Sequence, residues 1–345
     1  MSLALTGLPC RTELTATAQT IATCQSVDGA IAWERVGDTA GKVDAWDHVE
    51  CAMALLVAGR DAETLAAYEW LAAQQRPDGT WPREWQVSHL RDAGAIRVAD
   101  PGVDTNMCAY FAVGVWHYWC ARGDEAVVAR LLPSVVAALD AVVARQLGFG
   151  GFAWADDPFG GTVQDALVAG SASIHHALRC GIALARVCGA RQPEWQLAAD
   201  ALREALRTLE GRFLDKSRYS MDWYYPVLGG AVTGAAARAR LAQRWDEFVV
   251  PGLGIHCVDD HPWVTGAETC ELALALTRLG RRDDARRLIA DVQHLRDESG
   301  AYHTGFVYTD GLRWPIERSS WTGAAVILAL DALRADSPTA RVFTT

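Results

Sequence analysis

The chain runs to 345 residues, half of them hydrophobic, with 42 acidic side chains against 32 basic ones and a net charge of −10. That length and apolar content support a sizeable core. The acidic balance, with no Lys/Arg cluster and no aromatics interleaved with basic residues, excludes a nucleic-acid partner.

Nine cysteines, none in a Cys-x-x-Cys pair, lie mostly in apolar stretches (Cys51, Cys108, Cys180, Cys270) and read as reduced core residues of a cytoplasmic protein. Residues 1–14 show no signal-peptide pattern, and no run reaches the roughly 18 apolar residues that a membrane-spanning helix needs. Peripheral membrane contact and oligomeric state are left open by these features.

In chain order, the first element is a turn at Gln25, Asp28, Gly29 and Ile31, followed by an apolar helix predicted over 49–58. An amphipathic helix over 62–75 leads into the clearest copy of that turn, Gln75, Asp78, Gly79 and Trp81. Asp-Gly suits a tight turn with positive φ, and the aromatic packs it down. A second apolar helix covers 105–120. The helix over 125–146 contains Pro133, which should kink or split it, and ends at a third copy, Gln146, Gly150 and Phe152. An apolar helix over 171–187 and an amphipathic one over 193–209 precede a reduced copy at Gly211 and Phe213. Then come an apolar helix over 227–237, a short outer helix over 238–249 and a candidate sixth turn at Gly254 and His256. The series closes with an apolar helix over 267–279, an amphipathic one over 283–295, a turn at Gly300 and Tyr302, and an apolar helix over 322–333.

Self-similarity of this kind marks a repeat architecture. Helices apolar all round are buried on both sides, and amphipathic ones form an outer layer. The expected fold is all-α, a single-domain α/α toroid of about six helical hairpins over residues 1–334, with 335–345 as a tail.

A ring of this type gathers loops at the end where the inner helices begin, and a cleft there is the default binding site. The residues at those starts are carboxylates and aromatics: Asp44, Trp46, Asp47, His48 and Glu50; Asp104; Asp165 and His175; Asp222, Trp223, Tyr224 and Tyr225; Asp259, Asp260, His261, Trp263 and Glu268; and Trp314, Glu317 and Trp321. Any single Asp among them is accounted for as a helix N-cap. Capping does not require so many aromatics at one end.

On Gln75-x-x-Asp78-Gly79-x-Trp81 and its partial copies, the chain resembles the terpenoid cyclases and protein prenyltransferase β subunits, whose toroids repeat a Gln-x-x-x-Gly-x-Trp motif. The resemblance implies an enzyme acting on an isoprenoid or other apolar small molecule, with Asp104 and Asp260 as first acid/base candidates and Trp46, Trp223, Tyr225, Trp263 and Trp321 as aromatic lining. Only Asp104-Thr105 matches the end of the cyclases' Asp-x-Asp-Asp-Thr segment. Asp222 matches one zinc ligand of the prenyltransferases, but Tyr224 stands where a Cys is needed, so no metal and no cofactor is expected.

The toroid and its Asp-Gly-x-Trp turns are also similar to those of six-hairpin glycosidases and sugar epimerases. That alternative assigns two of Asp47, Asp104, Asp260, Glu268 and Glu317 as a carboxylate pair acting on a sugar. Trp81, Trp85, His48, His175, His261, Tyr224 and Trp314 complete the candidate lining. A noncatalytic binding toroid is the third reading.

Overall fold

The structure, a computed structural model, describes residues 7–88, 90, 96–159, 161–335 and 337–343. The first six residues of the N-terminal stretch and Asp336, Thr344 and Thr345 of the expected tail lie outside the described residues.

Two kinds of helix alternate along the chain: α1 (Arg11–Thr23), α2 (Ala45–Val57), α3 (Asp61–Ala73), α4 (Thr105–Arg122), α5 (Glu125–Val143), α6 (Val168–Val187), α7 (Pro193–Thr208), α8 (Ser220–Leu228), α9 (Gly234–Gln243), α10 (Trp245–Phe248), α11 (Gly266–Arg278), α12 (Arg282–Asp291) and α13 (Ser320–Arg334). Helices α2, α4, α6, α8, α11 and α13 form an inner ring in which each packs on the next and α13 returns to α2. Their burial follows from composition: α2 carries Val49, Cys51, Ala52, Met53, Ala54 and Leu55 with no exposed face. Outer helices back onto them, α1 on α13, α3 on α2, α5 on α4, α7 on α6, α9 on α8 and α12 on α11.

The repeated turn works as a lock between successive outer helices. Gln75 Nε2 donates to the Gly79 carbonyl and to the Ser134 carbonyl of α5, both at 2.9 Å. Gln25 does the same to Gly29 and Glu63, and Gln146 to Gly150 and Ala198. The glycine is obligatory at Gly79, where φ is 83° and a Cβ would fall 2.2 Å from the Ala137 carbonyl oxygen. Gly300 makes the corresponding approach to α1 at Ala16, so the last turn joins the end of the outer layer to its beginning.

Several expectations need correction. The fold is mostly helical but not all-α. Three small antiparallel sheets crown one end, made of β1 (Lys42–Val43), β2 (Glu84–Val87) and β3 (Ile96–Asp100); of β4 (Val103–Asp104), β5 (Ala155–Asp157) and β6 (Gly161–Thr162); and of β7 (Val249–Val250), β8 (Gly254–His256), β9 (Trp263–Thr265), β10 (Gly305–Val307) and β11 (Leu312–Arg313). Their strands are two to five residues long, too short for a period-2 pattern to register in the sequence. Gly254 and His256 belong to β8 and are not a sixth turn.

The fourth inner helix begins seven residues before its expected start and stops at Leu228, because Trp223, Tyr224 and Tyr225 are buried within it and do not precede it. Helix α5 runs unbroken through Pro133. It is also, by length and composition, apolar enough to cross a membrane, which the count of apolar runs missed; here it packs on α4, α3, α6 and α7. The tail is docked: Ala340, Val342 and Phe343 are buried, and a short turn over Pro338–Arg341 packs on α13 and α4.

Candidate active site

A cavity of about 240 Å³ opens where the inner helices begin. Trp46, Phe152, Trp154, Leu167, Ile174, Met107, Met221, Tyr225 and Trp321 supply an apolar wall, and Asp47, Asp104, Asn106 and Ser171 supply the polar atoms. Asn106 Oδ1 and Ser171 Oγ are buried with no protein partner among the described residues. Unmade hydrogen bonds at a cavity wall suit a hydroxylated ligand.

The first turn of α2 builds one side. Asp44 is its N-cap, accepting the Asp47 backbone N–H at 2.9 Å. Asp47, one turn in, is thereby turned toward the cavity beside Asp44. Burial first, and then the Asp44 charge, hold its carboxyl well above the ordinary range. Asp104 caps α4 through the Met107 N–H at 3.1 Å and is pushed up to about 6 by burial. Glu268, in the first turn of α11, is buried, has Oε2 unpartnered, and is raised by burial.

Beneath these acids lie two further carboxylates, Glu50, which was read at the start of the first inner helix but given no role, and Glu271, which was not read at all. Glu50, one turn below Asp47, accepts the Tyr110 hydroxyl and, at 3.2 Å, the Trp321 indole N–H. Glu271, one turn below Glu268, accepts the hydroxyls of Tyr224 and Tyr225. Burial raises both, and their mutual repulsion raises Glu271 further. Trp46 stacks on Tyr110 with ring centroids 3.7 Å apart and meets Tyr225 at 6.1 Å. The lower pair therefore anchors the aromatic floor. A signal was present: Asp47-x-x-Glu50 and Glu268-x-x-Glu271 put two acids on one face of two inner helices.

The other candidates fall elsewhere. His48 Nδ1 accepts the Ile31 N–H at 3.0 Å and Nε2 meets the Ala67 carbonyl at 2.9 Å, so it is a neutral core strut, held down to about 4 by burial. Trp81 donates to the Leu71 carbonyl and packs on Phe111 within the turn lock, and Trp85 packs edge-on to Trp70. Trp223 stacks on Phe248 and donates to the Arg240 carbonyl. His175 bonds the Gly229 carbonyl and lines a different cavity. Glu317 is buried and accepts from Thr304 and Thr39.

Asp260 and His261 are exposed and do not line the cavity. Arg218 donates to both Asp260 oxygens, at 2.7 and 2.9 Å, and holds its carboxyl down to about 2 with help from His261. Trp263 donates to the Trp314 carbonyl, and the two rings meet edge-on at 5.0 Å on the rim, with Trp314 exposed. Among the described residues no three His, Cys, Asp or Glu side chains form a group that could hold a metal.

A wall of aromatics around raised carboxylates serves an alkene or a sugar equally well, and comparison with known proteins separates the two. The chain is 50% identical over 327 residues to an MMP endo-(1,4)-3-O-methyl-alpha-D-mannosidase of Mycolicibacterium hassiacum, covering 95% of this chain and 88% of that protein. The chain belongs to that mannosidase's family. It is an enzyme, of the glycosidase kind. No protein-family model matches it.

Its fold agrees with solved glycosidases. A wild-type glycosidase superposes with a TM-score of 0.73 at 16% identity, covering 94% of this chain and 98% of that one. A GH63 mannosylglycerate hydrolase from Thermus thermophilus, solved with glucose, gives 0.68 at 16% identity, covering 93% and 99%. The terpenoid-cyclase and prenyltransferase reading, with its isoprenoid substrate, is overturned by these relationships. The shared Gln-x-x-x-Gly-x-Trp element locks outer helices of a toroid and carries no information on what the cavity holds.

Proposed function

We propose that the protein hydrolyses α-(1→4) bonds within chains of 3-O-methylated mannose, as the name of its half-identical relative states for that protein. The observation that carries the reading is the cavity, in which protonatable carboxylates open onto a wall that is otherwise apolar. Sugar C–H faces stack on Trp46, Trp154 and Trp321. A methyl ether replaces a hydroxyl that would need a partner, and Met107, Met221, Phe152 and Ile174 are suited to receive it.

In this reading Asp47, kept protonated by burial and by Asp44, donates its proton to the leaving glycosidic oxygen as that bond breaks. Glu268, on α11, takes the proton of the water whose oxygen bonds to the anomeric carbon as the glycosidic bond breaks, and Asp104, Asn106 and Ser171 bind hydroxyls. Asp47 is raised in part by Glu50, and Glu271 by both Glu50 and Glu268, which supports placing the α2 and α11 acids near one another.

The test is hydrolysis of a 4-linked 3-O-methyl-α-mannoside oligosaccharide, with product lengths followed by mass spectrometry. Internal cleavage with preference over the unmethylated chain is expected. Equal rates on both chains would remove the methyl-ether assignment, and cleavage of neither would remove the substrate class.

A further inference from the structure

A second cavity, of about 490 Å³, lies toward the opposite end of the ring, between the far half of α6, helix α7 and the ends of α8 and α11. Nothing in the sugar chemistry uses it. Four arginines face it, Arg179, Arg186, Arg203 and Arg278, against one carboxylate, Asp200. Asp200 stands 3.5 Å from Arg203, which leaves the other three without an acidic neighbour on the wall. In a chain with a net charge of −10, positive charge has been gathered here against the composition.

Two of these guanidinium groups converge. A Cβ on Gly230 would fall 2.6 Å from Arg278 Nη2 and 2.8 Å from Arg179 Nη1, so both groups close over a glycine that leaves them room. Burial and the Arg179 charge hold Arg278 down to about 10. Among the described residues neither group has a carboxylate partner; Arg278 Nη1 reaches the Phe343 carbonyl at 3.3 Å. The neighbouring His175 and His176 are neutral, held at about 4 and about 3 chiefly by burial and bonded to the Gly229 and Val342 carbonyls, so they add no charge. A favourable position at a helix C-terminus explains Arg186 and Arg278. It does not explain Arg179 or Arg203, which stand in helix interiors.

We propose that this cavity is a binding site for a small oxyanion of the phosphate class, clasped between Arg179 and Arg278 with Arg186 and Arg203 at its mouth. Forked N–H donors match tetrahedral oxyanions, and a divalent guest relieves the repulsion between the two converging cations.

Thermal unfolding of the full chain is followed against inorganic phosphate, with sodium chloride at matched ionic strength as reference. A saturable rise of about 3 °C or more is expected in the wild type, and loss of most of it in Arg179→Gln. Arg203→Gln, at the mouth, is expected to weaken the apparent affinity several-fold while the saturable response remains. These two exposed positions leave the fold intact even where Arg278→Gln does not. A response in Arg179→Gln equal to the wild type overturns the site. A wild type indifferent to phosphate overturns it as well.

Discussion

Asp47 on the cleft floor and Asp260 on the rim hairpin are both carboxylates near the start of an inner helix, and the structure gives them opposite characters. Asp47 is buried next to another acid and is held above the ordinary carboxylate range. Asp260 is in water, gripped by Arg218, and is held at about 2. Proton donation at neutral pH requires the first environment. Residue type and position along the repeat are alike at the two sites; solvent and neighbouring charge make the difference.

The contrast is tested most severely by removing the two acids of the proposed proton transfer. Asp47→Asn and Glu268→Gln should each lower kcat by about 10²–10⁴-fold with the fold retained, the usual worth of acid–base groups. A variant keeping more than a tenth of wild-type kcat would take that residue out of the proton transfer.

One turn lower, Glu50→Gln and Glu271→Gln act through Tyr110, Tyr225 and Trp321, so a smaller loss of roughly tenfold in kcat/KM is expected, mainly through KM. An unchanged KM would show that the aromatic floor stands without the lower pair.

Asp104 sharpens the comparison through pH. Its folded carboxyl sits at about 6 against an ordinary 3.8. Between those values the folded chain holds a proton that the unfolded chain releases, so the group's contribution to stability falls as pH rises through that window. Asp104→Asn keeps an oxygen to cap the Met107 N–H and abolishes this loss. Its Tm relative to wild type should therefore be higher at pH 7 than at pH 4, and a difference independent of pH would show that Asp104 is not held up by burial.

The smallest effect belongs to the rim. Asp260→Asn should leave kcat/KM within about twofold, because an exposed ion pair contributes little; a loss comparable to that of Asp47→Asn would erase the distinction between floor and rim.

Much of the ring was legible. Apolar helices at regular intervals and the Gln–Gly–aromatic spacing pointed to six hairpins, and five of the inner helices fall close to their expected positions. The fourth was misplaced because Asp222 to Tyr225 read as cleft residues opening a helix, whereas their burial against Glu271 and Phe248 places them inside it. Within the site, Trp46, Asp47, Asp104, Tyr225 and Trp321 were named and do line the cavity. Glu271 was passed over although its spacing from Glu268 puts the two acids on one helix face, because that spacing does not say that the hydroxyls of Tyr224 and Tyr225 meet it there.

The order of apolar and amphipathic helices, and glycines placed where only a bare backbone can approach the next outer helix, are local properties, and a local reading recovers them. Charge state is not local. Whether a carboxylate is an acid, a cap or half of a surface ion pair depends on water and charges brought to it from α11, α13 and the rim strands, hundreds of residues away in the chain. Only the closed ring brings them together.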